Sequence, residues 1–130
     1  MSDAATSQCA FGLGADAVQV GTAFLLADEA QTKTGHKTTL QSSKASDTRL
    51  TNVFSGGVAR GITTPFIEAL GIHPAAPPFP HAAFVTDPIK NRAEQLGNND
   101  FSAMWAGQNA CLAVPGSAKQ IIRHLLPTVV

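Results

Sequence analysis

In GADAVQVGTAFL, residues 14–25, a short apolar run centred on Val18-Gln19-Val20 stops at Gly21-Thr22 before a second apolar stretch begins. A run this brief, bounded by glycine and carrying β-branched residues, has the pattern of a buried parallel strand. The segment Ala15–Leu26 is therefore read as strand, glycine turn and continuation. A strand that ends in Gly21-Thr22 can turn its last backbone N–H groups outward, and glycine removes the side chain that would hold a phosphate oxygen away. A glycine after a strand also serves as a plain turn, so both readings stand on these residues alone. The nearby Gly12-Leu13-Gly14 follows no strand and lacks a third glycine, so it is no dinucleotide fingerprint.

Upstream, Ala4–Leu13 reads as a short helix with Ser2 and Asp3 as caps and Gly12 and Gly14 as the stop. Downstream, a polar surface helix is expected over Thr34–Ala45. TRLTNVFSGGVARGI at 48–62 breaks at Ser55-Gly56-Gly57 and reads as a hairpin. Thr64-Pro65 opens a short helix to Leu70 with Gly71 as its stop. His73–Pro80 holds four prolines in eight residues, which leaves an extended tether. Helices are expected over Ala83–Leu96 and Phe101–Ala113, split by Gly97-Asn98-Asn99. A last amphipathic helix spans Ser117–Leu126 with Ile121, Ile122 and Leu125 as its buried stripe. A buried parallel strand needs neighbours on both edges for its backbone groups, and this chain offers none in view.

Composition excludes several classes. Of the 130 residues, 44% are hydrophobic and 14% charged, which argues against disorder. Nine basic and nine acidic residues cancel without any Lys/Arg cluster, so nucleic acid is not an expected partner. No apolar run reaches the roughly 20 residues of a membrane span, and the amino terminus lacks a secretory pattern, so no membrane partner and a cytoplasmic setting are expected. Cys9 and Cys111 stand in apolar surroundings and are read as buried structural thiols. His36, His73, His81 and His124 show no metal-ligand spacing and read as surface or loop residues, so no metal is expected.

Three blocks in order carry a resemblance. GADAVQVGTAFL at 14–25 is similar to the last-strand motif of the nitronate monooxygenases, formerly called 2-nitropropane dioxygenases. TRLTNVFSGGVARGI resembles that family's T-x-x-F-S-G-x-x-A-R-G segment, and DFSAMWAGQNACL at 100–112 resembles its W-A-G-Q helix. The resemblance implies an α/β fold class: the C-terminal fragment of a TIM-type (β/α)8 barrel, with the last strand and a mostly helical C-terminal extension. Residues 1–45 would be the last helix–strand–helix of the barrel, and 46–130 an outer hairpin and helical extension. It further implies an FMN-dependent oxidoreductase, a flavoprotein monooxygenase oxidising alkyl nitronates with O2. Gln19, Val20, Gly21 and Thr22 would bind the cofactor, the N–H groups around Gly21 and Thr22 holding its phosphate.

The other motif residues have plainer readings beside the functional ones. Phe54, Ser55, Gly56, Ala59, Arg60 and Gly61 read as a structural turn, with Arg60 fixing carbonyls or a carboxylate. Trp105 and Gln108, at i and i+3, would share one helix face, with Trp105 in the core and Gln108 near the substrate.

The chain departs from the family pattern in lacking the glycine-rich phosphate loop of the seventh strand and the family's catalytic histidine. No catalytic residue is therefore assigned, and the chain alone is expected to be inactive. Uncovered Val18, Val20, Phe24 and Leu25 would forfeit roughly 1.5–3 kcal/mol each, so exposed apolar surface and self-association are expected. The alternatives are a flavin-dependent enoyl-acyl carrier protein reductase, which shares the barrel, and a non-catalytic truncated fragment.

Overall fold

The computed structural model describes residues 3–126. Helix α1 (Ala4–Gly12) leads, followed by a 3-10 helix at Thr22–Leu26, helix α2 (Thr34–Leu40) and a 3-10 turn at Ser43–Ser46. Strands β1 (Thr48–Thr51) and β2 (Ala59–Ile62), helices α3 (Pro65–Leu70) and α4 (Ala82–Gln95), a 3-10 turn at Ala110–Leu112 and helix α5 (Ala118–Leu125) complete the order. These fall into two compact units: Met1–Ser46 with Asn109–Val130, and Asp47–Gln108.

In the first unit both longer helices start on reciprocal caps, which satisfy N–H groups left without intrahelical partners. At α1 the Asp3 carboxylate accepts the Thr6 N–H at 2.8 Å, and the Thr6 hydroxyl reaches back to Asp3. Ser2, the other expected cap, lies outside the described residues. At α5 the Ser117 hydroxyl accepts the Gln120 N–H at 3.3 Å while Gln120 Oε1 accepts the Ser117 N–H at 2.8 Å. The core gathers Ala23, Ala27, Ile121 and Leu125, with Val20, Phe24 and Ala118 packed against it. Ile121 and Leu125, four apart, share the buried face; Ile122 is turned about 100° from Ile121 and is exposed, contrary to the three-residue stripe expected.

Three further expectations change here. Residues 15–20 form no strand, because a parallel strand needs hydrogen-bonding neighbours and none of the described residues supplies one. The apolar residues Val18, Val20, Phe24 and Leu25 are half-buried rather than uncovered, Val20 and Phe24 packing against the core that Ile121 and Leu125 of α5 help form. Helix α2 stops at Leu40 instead of Ala45. The Ser42 hydroxyl donates to the Thr39 carbonyl at 2.8 Å and accepts the Lys44 N–H at 3.2 Å, offering the backbone a local alternative to helix.

The second unit is built on an antiparallel hairpin, as the Ser-Gly-Gly break predicts, in the register Thr48↔Ile62, Arg49↔Gly61, Leu50↔Arg60 and Thr51↔Ala59. Residues 104–106 line the other edge of β2: the Ile62 N–H donates to Met104 O at 2.8 Å and the Ala106 N–H to Arg60 O at 3.1 Å. The helix expected over Phe101–Ala113 is therefore absent; an open sheet edge claims that backbone, and only Ala110–Leu112 coils into a 3-10 turn. Trp105 and Gln108 consequently share no helix face. Trp105 instead meets Phe54 edge-on at 5.6 Å, and Phe54 meets Phe66 at 5.5 Å, over a core of Val53, Phe54 and Ile67.

Helix α3 begins as expected, with Thr64 Oγ1 accepting the Ile67 N–H at 3.3 Å, Pro65 in the first turn and Gly71 at φ 53° ending it. Beyond it the proline-rich tether passes over the hairpin turn, where Gly56 at φ 87° lies against the backbone of Pro77–Phe79. Helix α4 closes at Gly97, φ 75°, with the Asn98 N–H donating to Ala93 O at 2.9 Å.

Candidate functional site

Gln19, Val20, Gly21 and Thr22 lie together in the first unit at the entry to the 3-10 helix Thr22–Leu26. Gly21 is its N-terminal cap residue, at φ −110° and ψ −58°, and its carbonyl accepts the Phe24 N–H at 3.0 Å. Gln19 and Gly21 are exposed and Val20 is half-buried. Val20 and Phe24 face the core and hold the segment on α5, so the turn stands at the edge of a packed unit.

Gly21 sits in a backbone conformation open to any L-residue, and a Cβ built there would meet no atom within 4 Å. Nothing in this chain's own packing requires glycine at this position. Open space against an exposed glycine is what a backbone approach by an oxyanion needs, so the residues present fit a phosphate group. Beside the turn runs an open groove of about 380 Å³, in which Gln19 is the one polar side chain among the described lining residues, the apolar ones including Phe11, Val18, Val20 and Leu125. Such walls suit an apolar surface and not a charge.

Gln108, the expected substrate-proximal residue, is exposed and belongs to the second unit. Arg60 takes the structural role read for it: its Nη1 donates to the Thr48 carbonyl at 2.7 Å and to Thr48 Oγ1 at 3.2 Å across the hairpin. Cys9 and Cys111 are free thiols and both are exposed, contrary to the buried role expected. Helix α1 buries only Ser7, and Cys111 is turned about a third of a circle from the buried Ala110. Among the described residues no three His, Cys, Asp or Glu side chains cluster as metal ligands, and no helix is long and apolar enough to cross a membrane.

One arrangement had no legible signal in the sequence. The Asn52 amide pairs with both backbone polar groups of His73, Nδ2 donating to its carbonyl at 3.1 Å and Oδ1 accepting its N–H at 2.9 Å.

A family model described as nitronate monooxygenase matches residues 1–128. The nitronate monooxygenase of Pseudomonas aeruginosa is 40% identical over 123 residues, covering 92% of this chain and 34% of that protein. A probable nitronate monooxygenase of Staphylococcus haemolyticus is 36% identical over 118 residues, covering 90% of this chain and 33% of that one. Among solved structures, a nitroalkane oxidase from Streptomyces ansochromogenes superposes with a TM-score of 0.86 at 32% identity, covering 95% of this chain and 35% of its own. FabK from Thermotoga maritima superposes at 0.67 with 26% identity, covering 96% of this chain and 37% of its own. The chain thus spans about a third of the length of the relatives it matches. Its fold class is α/β, a piece of a TIM-type barrel made of helices and a two-stranded sheet.

Proposed function

Because the chain belongs to the nitronate monooxygenase family, we propose that it is part of a flavin-dependent oxidoreductase that oxidises alkyl nitronates with molecular oxygen, and that its own share of the work is to anchor FMN. The observation that carries this reading is Gly21, exposed, free to accept a side chain sterically, and yet glycine inside a motif of the family. Its N–H and that of Thr22 would donate to the phosphate, with Gln19 beside them. FMN, when bound, supplies the redox chemistry; the protein's residues hold and orient it.

In this reading residues 1–45 belong to the barrel and 46–130 to an outer layer, in a cytoplasmic protein. The chain by itself is inactive, since it carries one side of the phosphate site and assigns no residue to proton transfer. Its exposed apolar residues, Leu13 at 90% and Phe84 at 77% among them, favour self-association until the rest of a barrel covers them.

The test has two stages. Titrating the purified chain with FMN is expected to leave flavin fluorescence unquenched, and tight stoichiometric quenching overturns the inactive reading. The chain is then joined to the preceding two-thirds of the Pseudomonas relative. That complete barrel should retain FMN and consume oxygen with an alkyl nitronate. An NADH-dependent reduction of an enoyl thioester, without nitronate turnover, would instead favour the enoyl-acyl carrier protein reductase reading. A folded, complete barrel that holds no flavin leaves the non-catalytic reading.

A further inference from the structure

The second unit contains an apolar pocket of about 210 Å³ that no part of the flavin reading uses. Val53, Phe66 and Leu70 form one part of its lining, and Val85 and Ile89 of α4 another. The proline-rich tether contributes Ala75, Ala76 and Pro77. His73 and Thr86 are the polar side chains among the lining residues, and the Thr86 hydroxyl proton is already given to the Ala82 carbonyl at 3.2 Å.

His73 is fixed from both ends. The Asn52 amide holds its backbone N–H and carbonyl, and its ring Nδ1 accepts the Ala75 N–H at 3.2 Å. A neutral imidazole that accepts at Nδ1 carries its proton on Nε2, so the ring, exposed and among the lining residues, carries one donor in a fixed orientation. An apolar pocket, here open to solvent on one side, with a single placed polar group has the form of a small-molecule site. A dry cavity of roughly 150 Å³ is large enough for benzene, so this pocket accommodates about six to eight carbons.

We propose that this pocket binds a small apolar molecule of that size bearing one neutral hydrogen-bond acceptor, such as a ketone, with the His73 Nε2–H as the donor. The pocket lies wholly in the second unit, so the proposal stands whether or not the chain anchors FMN.

The 130-residue chain, methyl-labelled, is titrated with 2-heptanone and, as a probe of similar size without a carbonyl, toluene. Both should shift the methyl signals of Val53, Leu70, Val85 and Ile89 saturably, while Leu13 in the first unit stays unmoved. The His73→Ala chain should bind 2-heptanone roughly three- to tenfold more weakly and toluene unchanged, as loss of one hydrogen bond implies. Ala76→Phe should fill the pocket and weaken both ligands; if that chain does not fold, the paired titration of the parent and His73→Ala chains decides alone. Unsaturable shifts, shifts shared equally by Leu13, or a His73→Ala chain that binds 2-heptanone as tightly as the parent would overturn the proposal.

Discussion

Gly61 stands opposite Trp105 in an antiparallel bridge, so close to the adjoining backbone that a Cβ on Gly61 would lie 2.9 Å from the Met104 carbonyl oxygen. The bridge joins the Ala-Arg-Gly end of the hairpin to the Trp-Ala-Gly-Gln block, two motifs more than forty residues apart. Gly61→Val should force these segments apart and cost roughly 1–3 kcal/mol, as overpacking does. A urea denaturation midpoint measures it, and near-ultraviolet dichroism of Trp105 should change with it. An unchanged midpoint would show that the bridge carries no stability.

This bridge also marks where sequence reading reached its limit. The hairpin, the Thr64-Pro65 helix start and the Gly71 stop were legible because each depends on residues within a few positions of one another. At Gly21 the chain does break, but into a 3-10 helix over Thr22–Leu26, with neither the strand before it nor the continuation after it that the pattern suggested. The conformation of 104–106 was not legible, since helix and extended chain differ there only by the sheet edge that β2 presents. The same holds for 15–20: the strand pattern is present, but none of the described residues supplies the neighbours a strand needs. The Asn52–His73 clamp links residues 21 positions apart, and no periodicity announces it.

Gly56 and Gly71 separate backbone strain from collision. Both have positive φ, 87° and 53°, but a Cβ on Gly56 would strike the backbone of Pro77–Phe79, whereas one on Gly71 would meet nothing within 4 Å. Gly71→Ala should cost about 1–3 kcal/mol through strain alone. Gly56→Ala should cost on the order of 4 kcal/mol or more, because the tether must also move off the hairpin. Equal losses in calorimetric unfolding would contradict this account.

Asp3 gives helix α1 a pH dependence of known sign. The Thr6 N–H, and after it the Thr6 hydroxyl, hold the Asp3 carboxyl below the ordinary carboxylate range. The folded state therefore binds the proton less readily than the unfolded chain. The cap's contribution is fully present above about pH 4 and is lost as pH falls through the depressed folded value. The Thr6 amide signal should report that titration, and Asp3→Asn, which keeps an acceptor oxygen, should abolish it. A Thr6 signal that titrates at the ordinary carboxylate pH would refute the cap's charge-assisted character.

Gly21 allows folding and flavin binding to be separated in one residue. Its φ and ψ suit any L-residue and its Cβ direction is open, so Gly21→Val should leave the unfolding free energy of this chain within about 0.5 kcal/mol of the parent's, as for an unstrained surface change. In the completed barrel the same Val side chain would occupy the space through which the phosphate reaches the Gly21 and Thr22 N–H groups. Losing one or more charge-assisted hydrogen bonds should then weaken FMN binding by roughly 10- to 100-fold. Neither half alone is decisive: a destabilised chain would place the glycine's role in the fold, and undiminished FMN affinity would move the phosphate elsewhere. Only a neutral effect on the chain combined with a loss of affinity in the barrel assigns Gly21 to the cofactor.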